Sequence, residues 1–138
     1  MNNKLLFLIS LSISFSFVLY AVEISKDIKI KSDSVEFIKE NNQISFLNNV
    51  EIRSNSVSIA ANSATYDNFK NVISISGMPS TIESSNKNSV FFGEADKILF
   101  FNDEKIHLIG NAYMKYESVS IASNIIIFNP QTGKLSSE

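Results

Sequence analysis

Few side chains in this sequence are able to do covalent chemistry. His107 is the single histidine and cysteine is absent, which excludes a thiolate nucleophile, a disulfide framework, a Cys-ligated zinc and a multi-histidine metal site. Two carboxylate pairs, Glu94/Asp96 and Asp103/Glu104, have the spacing of a general acid–base pair or a cation site. The second pair falls in Asn102-Asp-Glu-Lys105, turn chemistry in which solvated carboxylates are ordinary. Serines abound, yet a serine nucleophile needs a base beside it, and the chain has neither a Gly-x-Ser-x-Gly elbow nor a second histidine. The expectation is therefore no enzyme, no cofactor and no metal. His107 stands between Ile106 and Leu108, so alternation turns it to the face opposite theirs, toward solvent.

The elements that carry these residues belong to one domain. The chain has 138 residues, of which 44% are hydrophobic and 11% aromatic, too apolar for disorder. Its 12 basic and 14 acidic side chains leave a net charge of −2. With the lysines scattered, nothing grips a phosphate backbone, and nucleic acid is excluded as a partner. Residues 1–21 read as a secretory leader: a short positive start at Lys4, an apolar stretch from Leu5 to Tyr20, and small Ala21 before the cut. The apolar run is broken by serines and is shorter than the roughly 20 residues a bilayer span needs. Residues 22–138 are then the exported domain; the alternative keeps residues 5–20 as an anchor.

The domain is built by repetition. Ser56-Val-Ser-Ile-Ala-Ala-Asn62 matches Ser118-Val-Ser-Ile-Ala-Ser-Asn124 at six of seven positions, 62 residues apart. The same offset carries Ile44, Phe46 and Asn49 onto Ile106, Leu108 and Asn111. Each long repeat divides again, because a polar residue is followed four positions later by an aromatic at Asp33/Phe37, Asn62/Tyr66, Asp96/Phe100 and Asn124/Phe128. The unit is about 30 residues, present nearly four times, and a β unit of that size buries its apolar face only by stacking on its neighbours.

Within each unit apolar residues alternate with period two, as in Ile44/Phe46, Ile73/Ile75, Ile98/Phe100 and Val119/Ile121, the mark of half-buried strands. Turn residues separate them at Lys39–Asn42, Asp67–Asn71, Ser84–Ser89, Asn102–Lys105 and Asn129–Gly133. The pattern predicts nine to eleven short strands and no helix. Alternation places Val35, Phe37, Ile44, Phe46, Ile52, Ile59, Tyr66, Ile73, Ile75, Phe92, Ile98, Phe100, Ile106, Leu108, Met114, Ile121 and Phe128 on the inward face. Lys26, Lys29 and Lys31 share one face of the first strand, where they either blunt an exposed edge or meet anionic sugar phosphates. The strands at either end of such a sheet remain templates for another chain unless the sheet closes.

The order of these segments resembles the OstA-like family of lipopolysaccharide-transport proteins. The likeness rests on Ile28-Lys-Ile-Lys-Ser-Asp33, on Phe46-Leu-Asn-Asn-Val50-Glu-Ile52 and on Ile59-Ala-Ala-Asn-Ser-Ala-Thr-Tyr66-Asp67. The turn Gly77-Met78-Pro79, the segment Gly93-Glu-Ala95-Asp and Leu108-Ile-Gly110-Asn111-Ala112-Tyr113 complete it. Asn48 stands where the family's first turn usually has glycine. The resemblance spans about residues 24–135. It implies an all-β, twisted and open β-jelly roll of antiparallel strands, in the periplasm, with no catalysis. It implies that lipopolysaccharide acyl chains lie against Phe37, Phe46, Ile52, Ile59, Tyr66, Ile75, Phe92, Phe100, Leu108, Met114, Ile121 and Phe128. As partners it implies other OstA-like domains of the transport machinery at the inner and outer membranes, docked end to end through terminal strands, and a head-to-tail homo-oligomer. The residues alone also fit a membrane-anchored adapter of the same pathway, or a β-repeat scaffold with a dry core that binds only proteins.

Overall fold

The computed structural model describes residues 20–25, 27–87 and 89–138. The expected leader, apart from Tyr20 and Ala21, and the side chain of Lys26 lie outside the described residues. Ten strands form one antiparallel sheet: β1 (Tyr20–Ser25), β2 (Ile28–Ser32), β3 (Ser34–Ile38), β4 (Gln43–Arg53), β5 (Val57–Asp67), β6 (Val72–Ser84), β7 (Phe91–Phe101), β8 (Ile106–Tyr116), β9 (Val119–Phe128) and β10 (Leu135–Ser137). A 3-10 turn, Lys39–Asn41, joins β3 to β4. The spatial order follows the chain, β1-β2-β4-β5-β6-β7-β8-β9-β10, with β3 beside β2 along the same partner β4. All five predicted turn segments fall between strands, and the 30-residue unit is one hairpin.

Every long strand is bent at mid-length. Register slips occur between Leu47 and Val50, Ala60 and Ser63, Ser76 and Ser80, Glu94 and Lys97, and Ile109 and Ala112. Such bulges bend the chain and increase its twist. At two of them the backbone turns left-handed: Asn48 (φ 65) and Asn49 (φ 51), then Gly110 (φ 83) and Asn111 (φ 46), 62 residues on. Asparagine tolerates this region better than other residues with a Cβ, which is why Asn48 can stand where its repeat counterpart is Gly110. The polar member of the repeat sits at the bend: Asn49 Nδ2 donates to Asp33 Oδ2 at 2.7 Å and Asn111 Nδ2 to Asp96 Oδ2 at 2.9 Å. Asp33 also breaks the first long strand into β2 and β3, its N–H donating to the Asn48 carbonyl.

The bends divide the sheet into two leaves. The first holds β1, β2 and the segments 50–53, 57–60, 80–84, 91–95, 112–116 and 119–123; the second holds β3, 43–47, 63–67, 72–76, 97–101, 106–109, 125–128 and β10. They face one another across the core. The Phe91 ring of the first leaf meets Phe128 of the second edge-on at 4.8 Å, and Tyr116 meets Phe128 at 5.5 Å. A Cβ at Gly93 would stand 3.0 Å from Leu108 Cδ1, so the leaves touch closely where no side chain intervenes.

Two expectations need correction. Phe92 is 39% exposed, while Phe91 takes the interior place at 3%. Counting back by twos from Phe100 and Ile98 reaches Phe92, but the alternation breaks at the irregularity between Glu94 and Lys97, where Asp96 and Lys97 both face outward, and this exchanges the faces. Phe92 therefore stands outward between Glu83 and Lys115. Lys29 and Lys31 do face outward, but β2 lies between β1 and β4, so they blunt no edge; Lys29 is flanked by Glu23 and Arg53.

Candidate functional site

The interior is filled. Phe46, Ile52, Ile59, Ile75, Phe100, Leu108, Met114 and Phe128, all expected to line an apolar groove, are fully buried in one cluster. Ile121 and Tyr66 pack partly buried against it. These side chains pack chiefly against one another.

The sheet opens on one side, and there Phe37 and Tyr66 of the expected residues come together. Phe37 pairs with Ile44 on the inner face of the second leaf, yet it is 71% exposed. Alternation chose its face correctly; exposure follows because β3 is the edge of its leaf and β1 does not cover it. The gap is a cleft of about 330 Å³ between Val22 and Ile24 on one wall and Phe37, Ile44 and Tyr66 on the other, with Lys39, Gln43 and Asn68 at its rim. It adjoins a narrower space of about 170 Å³ that shares Ile24 and Tyr66 and continues past Ile28, Ile73 and Phe100 to Asn102. Val22 and Ile24 were absent from the expected set. Their alternation in β1 is the signal that could have found them, but they adjoin the leader and read as its continuation.

Polar groups keep this mouth in shape. Tyr66 Oη lies 3.2 Å from Asn68 Oδ1 and 3.3 Å from Asn71 Oδ1, which holds the phenol at the rim while its ring faces the cleft. Asp67 Oδ1 accepts the backbone N–H groups of Phe69 (2.9 Å) and Lys70 (3.0 Å). The Lys70 N–H above all, with that of Phe69 and the Gln43 amide, holds the Asp67 carboxyl below its ordinary value. His107 lies on the outer face against Phe101, ring centroids 4.7 Å apart. Burial first, then the Lys105 charge, lowers its imidazole value. Among the described residues no cluster of histidine and carboxylate side chains could hold a metal.

Among the described residues the sheet's ends carry free strand edges. β1 and β3 form the outer strands at the start of the chain. At the other end β10 pairs only with Ile126–Phe128, which leaves residues 119–124 of β9 without a strand on the side away from β8 among the described residues.

One antiparallel sheet, bent over a buried apolar core and open along one side, defines an open β-jelly roll with an apolar mouth. The chain belongs to the family described as LptA/(LptD N-terminal domain) LPS transport protein, whose model it matches over residues 29–134. Among solved structures it is similar to LptH of Pseudomonas aeruginosa, described as the LptA-homologous periplasmic component of the lipopolysaccharide transport device. The TM-score is 0.70, with 20% identity over 80% of each chain. No curated protein sequence matches.

Proposed function

We propose that this protein is a periplasmic lipopolysaccharide carrier that takes acyl chains into the cleft between its leaves and bridges inner- and outer-membrane machinery by strand docking at its two ends. The observation that supports it most is Phe37: a large ring on the interior face of the sheet, left uncovered beside Val22, Ile24, Ile44 and Tyr66. Monomeric domains seldom leave such a surface without a use. In this reading Phe37 and Tyr66 meet the acyl chain first. Phe46, Ile52, Ile59, Ile75, Phe100, Leu108, Met114, Ile121 and Phe128 reach it only where the leaves part, and Phe92 does not reach it. Removal of residues 1–21 on export leaves Val22 opening β1 beside the cleft. The bare edges at β1, β3 and residues 119–124 suit end-to-end addition of related domains or further copies.

The filled interior favours a second reading, a β-repeat scaffold that binds only proteins. Saturable binding of labelled lipopolysaccharide to the purified protein, competed by lipid A and by a simple detergent, separates the two. Competition by lipid A alone supports the carrier; a folded protein that takes up no lipid leaves the scaffold.

A further inference from the structure

We propose that Glu104 sets how deep an acyl chain reaches between the leaves, acting as a latch at the inner end of the groove. The inference rests on the carrier reading. From the cleft the apolar path runs past Ile24, Tyr66 and Phe100 and stops at Ile28 on one wall and Asn102 on the other. Ile28 adjoins the β4–β5 turn, since Lys29 pairs with Arg53 just before it; Asn102 belongs to the turn that carries Glu104. Beyond that point the two walls are tied together. Ser56 Oγ, in the first-leaf turn, donates to Glu104 Oε1 at 2.9 Å, and Gln131 Nε2, in the last turn of the second leaf, donates to Glu104 Oε2 at 3.1 Å.

The backbone of Glu104 gives no local reason for this residue. Its φ is +64, a conformation in which glycine or asparagine is the usual occupant and a long side chain is disfavoured. What the turn gains from glutamate is the pair of contacts, one per carboxylate oxygen, and bonds to a charged acceptor are about twice as strong as neutral ones. The turn itself is fixed by the Glu104 N–H donating to the Phe101 carbonyl at 2.9 Å. Glu104 is thus a positioning residue: it meets no lipid, but ties the two walls together just beyond the Asn102 end of this path. A cavity of about 150 Å³ takes up a six-carbon ring, so the two spaces hold about twenty carbons before the latch.

The test measures affinity for lysophospholipids with single chains from about ten to about twenty-six carbons, each buried methylene adding about fourfold. In the parent the rise levels off once the chain meets the latch. In Glu104→Gln, and independently in Ser56→Ala combined with Gln131→Ala, the rise is expected to continue, so that a chain about two carbons past the parent's plateau binds more than about tenfold tighter than to the parent while the shortest are unchanged. Hydrogen exchange of the Val57 and Phe101 amides reports that the variants stay folded and that the adjoining turns open faster. A plateau at the same length in folded variants, or loss of binding at all lengths, overturns the latch. A parent that binds no chain of any length instead overturns the carrier reading on which it stands.

Discussion

Replacing Phe37 by alanine separates lipid uptake from stability. The ring is 71% exposed, so with a side-chain area of about 200 Å² roughly 140 Å² remains open to solvent. An acyl chain lying in the cleft covers about half of that, about 70 Å², which at about 25 cal/mol per Å² is worth about 1.8 kcal/mol, or about twentyfold in Kd. Folding loses little. Phe37 sits on an edge strand with one cross-strand neighbour, Ile44, and such a pair contributes below about 1 kcal/mol. Displacement of a fluorescent acyl probe gives the affinity, and urea unfolding gives the stability. The expected outcome is a folded protein with about twentyfold weaker binding. Parental affinity in folded Phe37→Ala would refute the placement of the lipid in this cleft, and a loss of stability beyond about 2 kcal/mol would show that the ring belongs to the core after all.

Phe100→Ala is the converse, because its ring is fully buried: a loss of about 3–5 kcal/mol is expected in urea unfolding. At the second bend, Gly110→Ala forces a left-handed alanine whose Cβ would stand 2.9 Å from Asp96 Oδ2, at a cost of about 2 kcal/mol by the same assay. Its counterpart Asn48→Gly should move stability by less than about 1 kcal/mol. Ser80 Oγ is buried without a hydrogen-bond partner among the described residues, so Ser80→Ala is expected to raise the thermal midpoint, by the equivalent of about 1 kcal/mol. His107 has its value lowered from 6.5 in the fold, so the unfolded chain takes up that proton first. Its contribution is whole above 6.5 and is lost as pH falls toward the lowered value. Urea midpoints between about pH 8 and about pH 5 should therefore fall less steeply in His107→Gln than in the parent.

The strands and turns were legible because a period of two and clusters of Asn, Asp, Gly and Ser are local signals. The 62-residue offset even carried the left-handed pair Asn48-Asn49 onto Gly110-Asn111. What the pattern did not carry across was the parity change within β7, hence Phe92 in place of Phe91. Nor does alternation tell a covered inner face from an uncovered one: Phe37 and Phe100 read alike, and only the absence of a strand opposite β3 makes one a mouth and the other a core. Glu104 looked like a solvated turn carboxylate because its partners, Ser56 and Gln131, lie 48 and 27 residues away.

Neighbours in this sheet are also neighbours in the chain, β3 alone sharing its partner with β2. Most β folds reach their native pairing slowly because strands far apart in sequence must find each other and close long loops. Here each strand from β4 onward needs only the one just before it, so the sheet can zip up hairpin by hairpin. A chain delivered to its compartment one end first never has to hold a strand waiting for a distant mate.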